Sequence, residues 1–352
     1  MTAYLGLKEL TDVQPLVADM GPVINDVSSF QYPLSIAPCR EKVANNTNHR
    51  SLFVAVISAP NNFKKRAAIR RTWPHHFKNQ SNINKQLDVL GFGFVVGLTK
   101  NTSVQRKLTE ESLRYNDILQ VNVYDKYRNL SIKAAGLFNW INSRCSPVDF
   151  VLKVDDDVYV NVHNFATILH SFSPIERSIY GHKTGGSQPS RTEGKWPSSY
   201  ENWPWSRIPY YLQGAGIVVA GSAVRSLLAA MQTTPYYIWE DIYIIGLCAV
   251  KARLQILTSK RIFVDEPETY PDPCFVRNTV MWTTSSEDHI NSSHIISHNL
   301  YRNDMTKSYC VLKTYVMGPN ETLVDLVQSQ MSEPAIASEF KFRSIHSKGF
   351  WD

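Results

Sequence analysis

Apolar residues recur along this chain in two rhythms. Leu52–Ala59 (LFVAVISA) is an unbroken apolar run rich in β-branched residues, which predicts a buried strand. Gly91–Thr99, Asp117–Asp125 and Phe150–Val154 repeat that texture. Between them lie a basic helix-like stretch (NNFKKRAAIRRTW), an amphipathic stretch (VQRKLTEESLRYND) and a helix-patterned segment, Asn129–Cys145. Strands that alternate with helices predict an α/β fold with a mostly parallel central sheet flanked by helices. Beyond about residue 180 the rhythm loosens into loops rich in Gly, Pro and Trp. Residues 1–50 carry Pro15, Pro22, Pro33 and Pro38 and little periodicity, so they are expected to form a largely irregular stem or linker.

Composition narrows this picture. In 352 residues, 43% are apolar and 19% charged, a globular balance that excludes wholesale disorder. The net charge of +6 is a mild excess, too small to point to nucleic acid. Residues 1–50 hold four basic and five acidic residues, so the excess lies in the remainder. The five cysteines are too few for a disulfide scaffold, and their odd number leaves at least one unpaired within the chain. The richest apolar stretches, Leu52–Pro60 and Ala215–Met231, are too short or too interrupted to span a bilayer, and the N-terminus does not read as a signal peptide. Taken literally, these features predict a soluble chain. Six Asn-X-Ser/Thr sequons, at Asn45, Asn79, Asn101, Asn129, Asn291 and Asn320, hint weakly at a lumenal life.

The strongest chemical signal is Lys153-Val-Asp155-Asp156-Asp157. An apolar strand delivers three consecutive carboxylates at its carboxyl end, where open α/β sheets bind ligands. Extended geometry directs Asp155 and Asp157 to one side and Asp156 to the other. Repulsion among three acids favours a hard divalent cation that bridges to phosphate; the plain alternative is a solvated acidic turn. Glu240-Asp241 opens an apolar helical segment, where paired acids cap a helix or supply a general base. Lys64, Lys65, Arg66, Arg70 and Arg71 form a basic cluster. Arg66 and Arg70 share a helix face at i, i+4, able to clamp a diphosphate or simply to face solvent. Gly214 and Gly216 would allow close backbone approach to a ligand, or merely a turn. The run from Trp196 to Trp205 offers aromatic faces for sugar, and His289, His294 and His298 form a late histidine group.

These motifs, in this order, resemble the β1,3-galactosyltransferase/β1,3-N-acetylglucosaminyltransferase family, glycosyltransferase family 31. The resemblance rests on RAAIRRTW, DKYRNLSIK, FVLKVDDDVYVN, KWPSSYENWPW…PYYLQGAG and EDIYIIG, and it covers roughly residues 51–312. It implies a GT-A type nucleotide-sugar transferase fold. The catalytic domain would span 51–345, with a UDP-sugar-binding half at 51–180 and an acceptor half at 181–345. It further implies Mn²⁺ held by Asp157, Asp155 and His298. Arg66, Arg70, Asp125, Lys133, Asp155, Asp156, Gly214 and Gly216 would lie around the UDP-sugar, Asp241 would be the base and Glu240 its acidic neighbour. The implied reaction is inverting transfer of galactose from UDP-galactose to the 3-hydroxyl of a glycan on protein or lipid, with N-acetylglucosamine as the alternative donor sugar. A Golgi enzyme held by an N-terminal type II anchor is implied as well, although residues 1–50 contain no such anchor; a homo- or hetero-dimeric assembly is left open. Two departures concern loop shape: Pro74 stands where the family usually has Gly, and Gly214-Ala-Gly216-Ile replaces a more glycine-rich run.

Two other classes compete. A non-catalytic sugar-binding relative would be expected to lack a metal carboxylate or the base, and both are present. A two-carboxylate glycoside hydrolase accounts for neither the acidic triplet nor the basic cluster.

Overall fold

The computed structural model describes residues 8–42, 49–79, 87–145, 148–258, 262–264, 271–302, 310–312 and 315–317. The strands are β1 (Arg50–Ile57), β2 (Leu87–Leu98), β3 (Ile118–Tyr124), β4 (Phe150–Asp155), β5 (Val158–Val160), β6 (Ser178–Gly181), β7 (Lys183–Gly185), β8 (Tyr210–Leu212), β9 (Gly216–Ala220), β10 (Gln255–Thr258), β11 (Phe263–Val264), β12 (Met281–Thr283), β13 (Cys310–Leu312) and β14 (Tyr315–Met317). Seven of them form the central sheet in the order β10-β6-β9-β4-β1-β2-β3. β1 pairs in parallel with β2 and β4, β2 with β3, and β10 with β6; β9 alone runs antiparallel, between β4 and β6. This is the mixed, mostly parallel α/β sheet that the strand–helix alternation predicts.

The apolar runs become strands because both faces of the sheet are covered. Leu52 to Val56 are fully buried, as are Phe150 to Leu152. Helix Thr102–Tyr115 begins at Asn101, whose side chain accepts from the Val104 amide. It ends at Asn116, which adopts the left-handed conformation that suits a helix stop. Helix Leu130–Arg144 is buried along most of its length, and Gly136 leaves no room for a Cβ beside Val121.

Residues 8–42 lack long regular elements, yet they do not hang free. Val23, Val27 and Ile36 are buried in the core. The Gln120 amide donates to the Leu34 carbonyl and the Asn122 amide to the Gln31 carbonyl, so this segment covers the exposed edge of β3. Cys39 is disulfide-bonded to Cys145 at the end of helix Leu130–Arg144; Cys274 is also disulfide-bonded, and Cys248 is a buried free thiol. Residues 8–42 therefore form an irregular strap packed against the sheet. Among the described residues, no helix is long and apolar enough to cross a membrane.

Candidate active site

A cavity of about 570 Å³ opens at the carboxyl ends of β1 and β4, beside the start of the reversed strand β9. Ile57, Lys153, Asp155, Asp157, Gly214, Glu240 and Asp241 line it, together with Tyr127, Lys133 and Trp239. The structure thus gathers Asp155 and Asp157 of the acidic triplet and the Glu-Asp pair, 85 residues further along the sequence, around one space.

The triplet divides as strand geometry requires. Asp155 and Asp157 face the cavity, with side chains 41% and 45% exposed. Asp156 turns inward, where it accepts from Ser58 Oγ at 2.7 Å and Asn62 Nδ2 at 2.8 Å and pairs with Lys65 Nζ at 3.1 Å. Asp156 is therefore an anchor of the turn, not a group offered to a ligand. The Asp157 carbonyl is fixed by the amide and hydroxyl of Thr284, which follows β12.

Lys153 lies one residue from the triplet and is almost fully buried. Its ammonium donates to the Gly214 carbonyl at 2.8 Å and stands 3.1 Å from Glu240 Oε1 and 3.8 Å from Asp155 Oδ1. One cation thus serves three carboxylates, because Asp241 also acts on it. The carboxylates around Lys153 outweigh its own desolvation and raise its affinity for the proton. Desolvation pushes Asp155 up to about 7; Lys153 opposes that shift, and Glu240, Asp157 and Asp156 add to it. Asp241 is also raised, chiefly by burial, against the hydrogen bond from the Ile242 amide. The surplus of negative charge facing the cavity calls for a cation from outside the chain. Asp155 and Asp157, cavity-facing and without saturating donors, fit a hard divalent ion that also binds phosphate oxygens.

Gly214 is small for a reason visible here: a Cβ would lie 2.9 Å from Glu240 Oε2 and 3.0 Å from Asp241 Cβ. Gly216 instead begins β9, paired with Val154. Asp241 caps a π-helix, Ile242–Ala249, through its 2.9 Å bond from the Ile242 amide, which occupies Oδ1 and leaves Oδ2 for chemistry. The segment is helical, as its apolar run suggests, but wound more widely than an α-helix, a form common at functional sites. Lys133, buried, donates to the Ser58 carbonyl and to Asp125, both at 3.0 Å, and borders the cavity. Asp125 is outside the lining and acts by holding Lys133.

Three further predicted side chains do not line the cavity. The Arg66 guanidinium is fully buried, and all five of its N–H donors are engaged by Glu111, Ser58 Oγ and the carbonyls of Ala59 and Pro60. It cannot clamp a diphosphate; it shapes the Ser58–Pro60 loop that holds Asp156 and Lys133. Arg70 is bound to Glu111 and Asp117 and borders a different cavity, beside Phe77 and Phe92. His298 is not among the cavity residues either; it packs with His76 and His294. Helical periodicity identified a shared arginine face but not which acids would meet it.

Other contributors escaped the sequence reading. Gln213 lines the cavity with a buried Oε1 that has no partner among the described residues, so it can receive a ligand hydroxyl. Tyr127 is another: it accepts at 2.7 Å from Nε1 of Trp196, a member of the aromatic run read from the sequence, and both rings are about half exposed at the cavity wall. Lys153 carried the clearest unused signal, a cation inside an otherwise apolar strand.

The galactosyltransferase family model matches residues 64–260, more than half of the chain, and this protein belongs to that family. Lactosylceramide 1,3-N-acetyl-beta-D-glucosaminyltransferase of Homo sapiens is 32% identical over 230 residues, 63% of this chain and 60% of that protein. Beta-1,3-galactosyltransferase 5 of Pan troglodytes is 30% identical over 215 residues, 60% of this chain and 70% of that protein. This chain matches little more than half the length of several curated relatives, for example 54% of the Xenopus tropicalis lactosylceramide enzyme. Among solved structures, the galactosyltransferase LgtC with donor and acceptor sugar analogues aligns over 82% of this chain and 99% of its own, with a TM-score of 0.35 and 13% identity.

Proposed function

We propose that this protein is an inverting, UDP-sugar-dependent β1,3-hexosyltransferase. The observation that carries the reading is the single cavity in which the Asp155/Asp157 edge faces the Glu240-Asp241 pair. Asp155 and Asp157 would hold Mn²⁺, which when bound neutralises the diphosphate of the donor and favours its departure. Lys133 adds a buried positive charge to the same end. Asp241 takes the proton from the acceptor 3-hydroxyl through Oδ2, and its raised proton affinity suits a base at neutral pH. The hydroxyl oxygen then attacks C1 in line as UDP leaves, so the anomeric configuration inverts. Glu240, held by Lys153, and Gln213 orient the acceptor, while Tyr127 and Trp196 supply apolar faces for the sugar ring.

Galactose remains the first donor reading, from the sequence. A second reading, UDP-N-acetylglucosamine with a glycolipid acceptor, is favoured by the relatives named for lactosylceramide. A Golgi lumenal site of action accords with the Cys39–Cys145 disulfide, because such bonds persist in oxidising compartments. The test is UDP release by the purified chain with Mn²⁺ and a panel of UDP-sugars, with and without glycan and glycolipid acceptors. Acceptor-dependent release that disappears in Asp241→Asn supports the proposal. No release from any donor overturns it.

A further inference from the structure

Away from the cavity, four imidazoles from three helices meet in one cluster. His76 comes from helix Pro74–Asn79, His163 from helix Val162–Ser171, and His294 and His298 from helix Glu287–Arg302. The last two stand at i, i+4, so they share a helix face. The ring centroid of His76 lies 4.7 Å from that of His294, 5.2 Å from that of His163 and 5.9 Å from that of His298; His294 and His298 are 6.1 Å apart. His76 is only 3% exposed, and among the described residues neither of its ring nitrogens has a hydrogen-bond partner. His163 Nε2 is likewise buried and unpartnered. A buried imidazole with both nitrogens unanswered is costly, and most buried polar groups avoid that state.

We propose that His76, His294 and His298, backed by His163, form a binding site for a divalent transition-metal ion that prefers imidazole, Zn²⁺ foremost, separate from the acidic cavity. The spacing is suitable. A metal–nitrogen distance of about 2.0 Å in tetrahedral geometry places ligating ring centroids roughly 5 Å apart. Among the described residues no group of three such side chains, as they stand, could hold a metal ion, so binding requires these rings to turn about their side-chain torsions. The chemistry also fits. His76 and His163 keep buried ring nitrogens without partners among the described residues, and a metal ion would satisfy them. Imidazole nitrogens select Zn²⁺ or Cu²⁺ over the hard ions that suit Asp155 and Asp157. A metal here would tie helix Glu287–Arg302 to helices Pro74–Asn79 and Val162–Ser171, and would act by structure rather than by touching the sugar.

The test uses the whole chain, stripped with chelator, equilibrated with Zn²⁺ in excess Mg²⁺ and freed of loose metal by gel filtration. The expected result is one retained Zn²⁺ per chain by atomic emission, with imidazole nitrogens at about 2.0 Å by X-ray absorption. In His294→Gln/His298→Gln the affinity should fall on the order of a hundredfold. His294→Gln alone serves if the double variant misfolds by circular dichroism. Asp155→Asn/Asp157→Asn should retain the metal. Absence of retained Zn²⁺, retention unchanged in folded histidine variants, or loss in the aspartate variant would each overturn the proposal.

Discussion

Lys153 Nζ stands 3.1 Å from Glu240 Oε1, a buried ion pair that joins the strand carrying the acidic triplet to the segment carrying the base. Glu240 Oε1 has no well-aligned hydrogen bond among the described residues, so the attraction is one of charge more than of directed bonding. Removing one partner of such a pair is costly because the other charge stays buried and alone. Lys153→Met should lower stability by about 3–5 kcal/mol in urea unfolding. Lys153→Met/Glu240→Gln should recover much of that loss but not the rate of sugar transfer. A double variant as unstable as the single would disprove the pairing account.

Gly214→Ala tests the tight approach of the base segment. The new methyl would press on Glu240 and Asp241 from 2.9 and 3.0 Å. Displacement of a reacting group on this scale costs on the order of a hundredfold in rate. The expected result is a fall in kcat of that order with a small change in unfolding midpoint. Unchanged kcat would show that the segment yields freely.

Arg66→Met separates a positioning role from direct contact with nucleotide. Loss of its buried charge leaves Glu111 and two carbonyls without their donor, for an expected cost of about 3–5 kcal/mol. UDP affinity of the folded fraction, measured by calorimetry, should fall less than it does in Lys133→Met. The reverse ranking would restore Arg66 to the diphosphate.

The histidine cluster predicts acid sensitivity. The unfolded chain protonates these rings near pH 6.5, whereas folded His76 resists to about 3 and His163 and His294 to about 4. The unfolded state therefore binds more protons in that window. Stability is fully present above it and is lost as pH falls through it, by up to about 1.4 kcal/mol per unit for His76. His76→Phe should flatten the dependence of the urea midpoint on pH. An identical slope in the variant would show that carboxylates alone set it.

The amino-terminal strap should be a stabilising part of the domain. Reduction of Cys39–Cys145, or Cys39→Ser, is expected to cost about 2–4 kcal/mol. An unchanged thermal midpoint in the variant would show that the strap docks without its covalent tie.

Much of this was legible in the sequence, because local periodicity and neighbour geometry act within a few residues. The runs at Leu52–Ala59 and Phe150–Val154 had to be buried strands. Alternation along an extended chain alone sent Asp155 and Asp157 one way and Asp156 the other. Which partner each charge meets is a different kind of fact, since it depends on elements far apart in the chain. Arg66 and Arg70 read as free cations until Glu111, on helix Thr102–Tyr115, and Asp117, just before β3, met them. His298 read as a cavity ligand until helix packing set it beside His76. The stem read as loose because its apolar residues have no period, yet Val23, Val27 and Ile36 find the core one at a time. The sequence by itself determined the strands, the helices and the carboxylates available for chemistry. Only the tertiary structure decided which of them share a solvent-facing cavity and which are neutralised in the interior, because desolvation and charge pairing are set by neighbours in space.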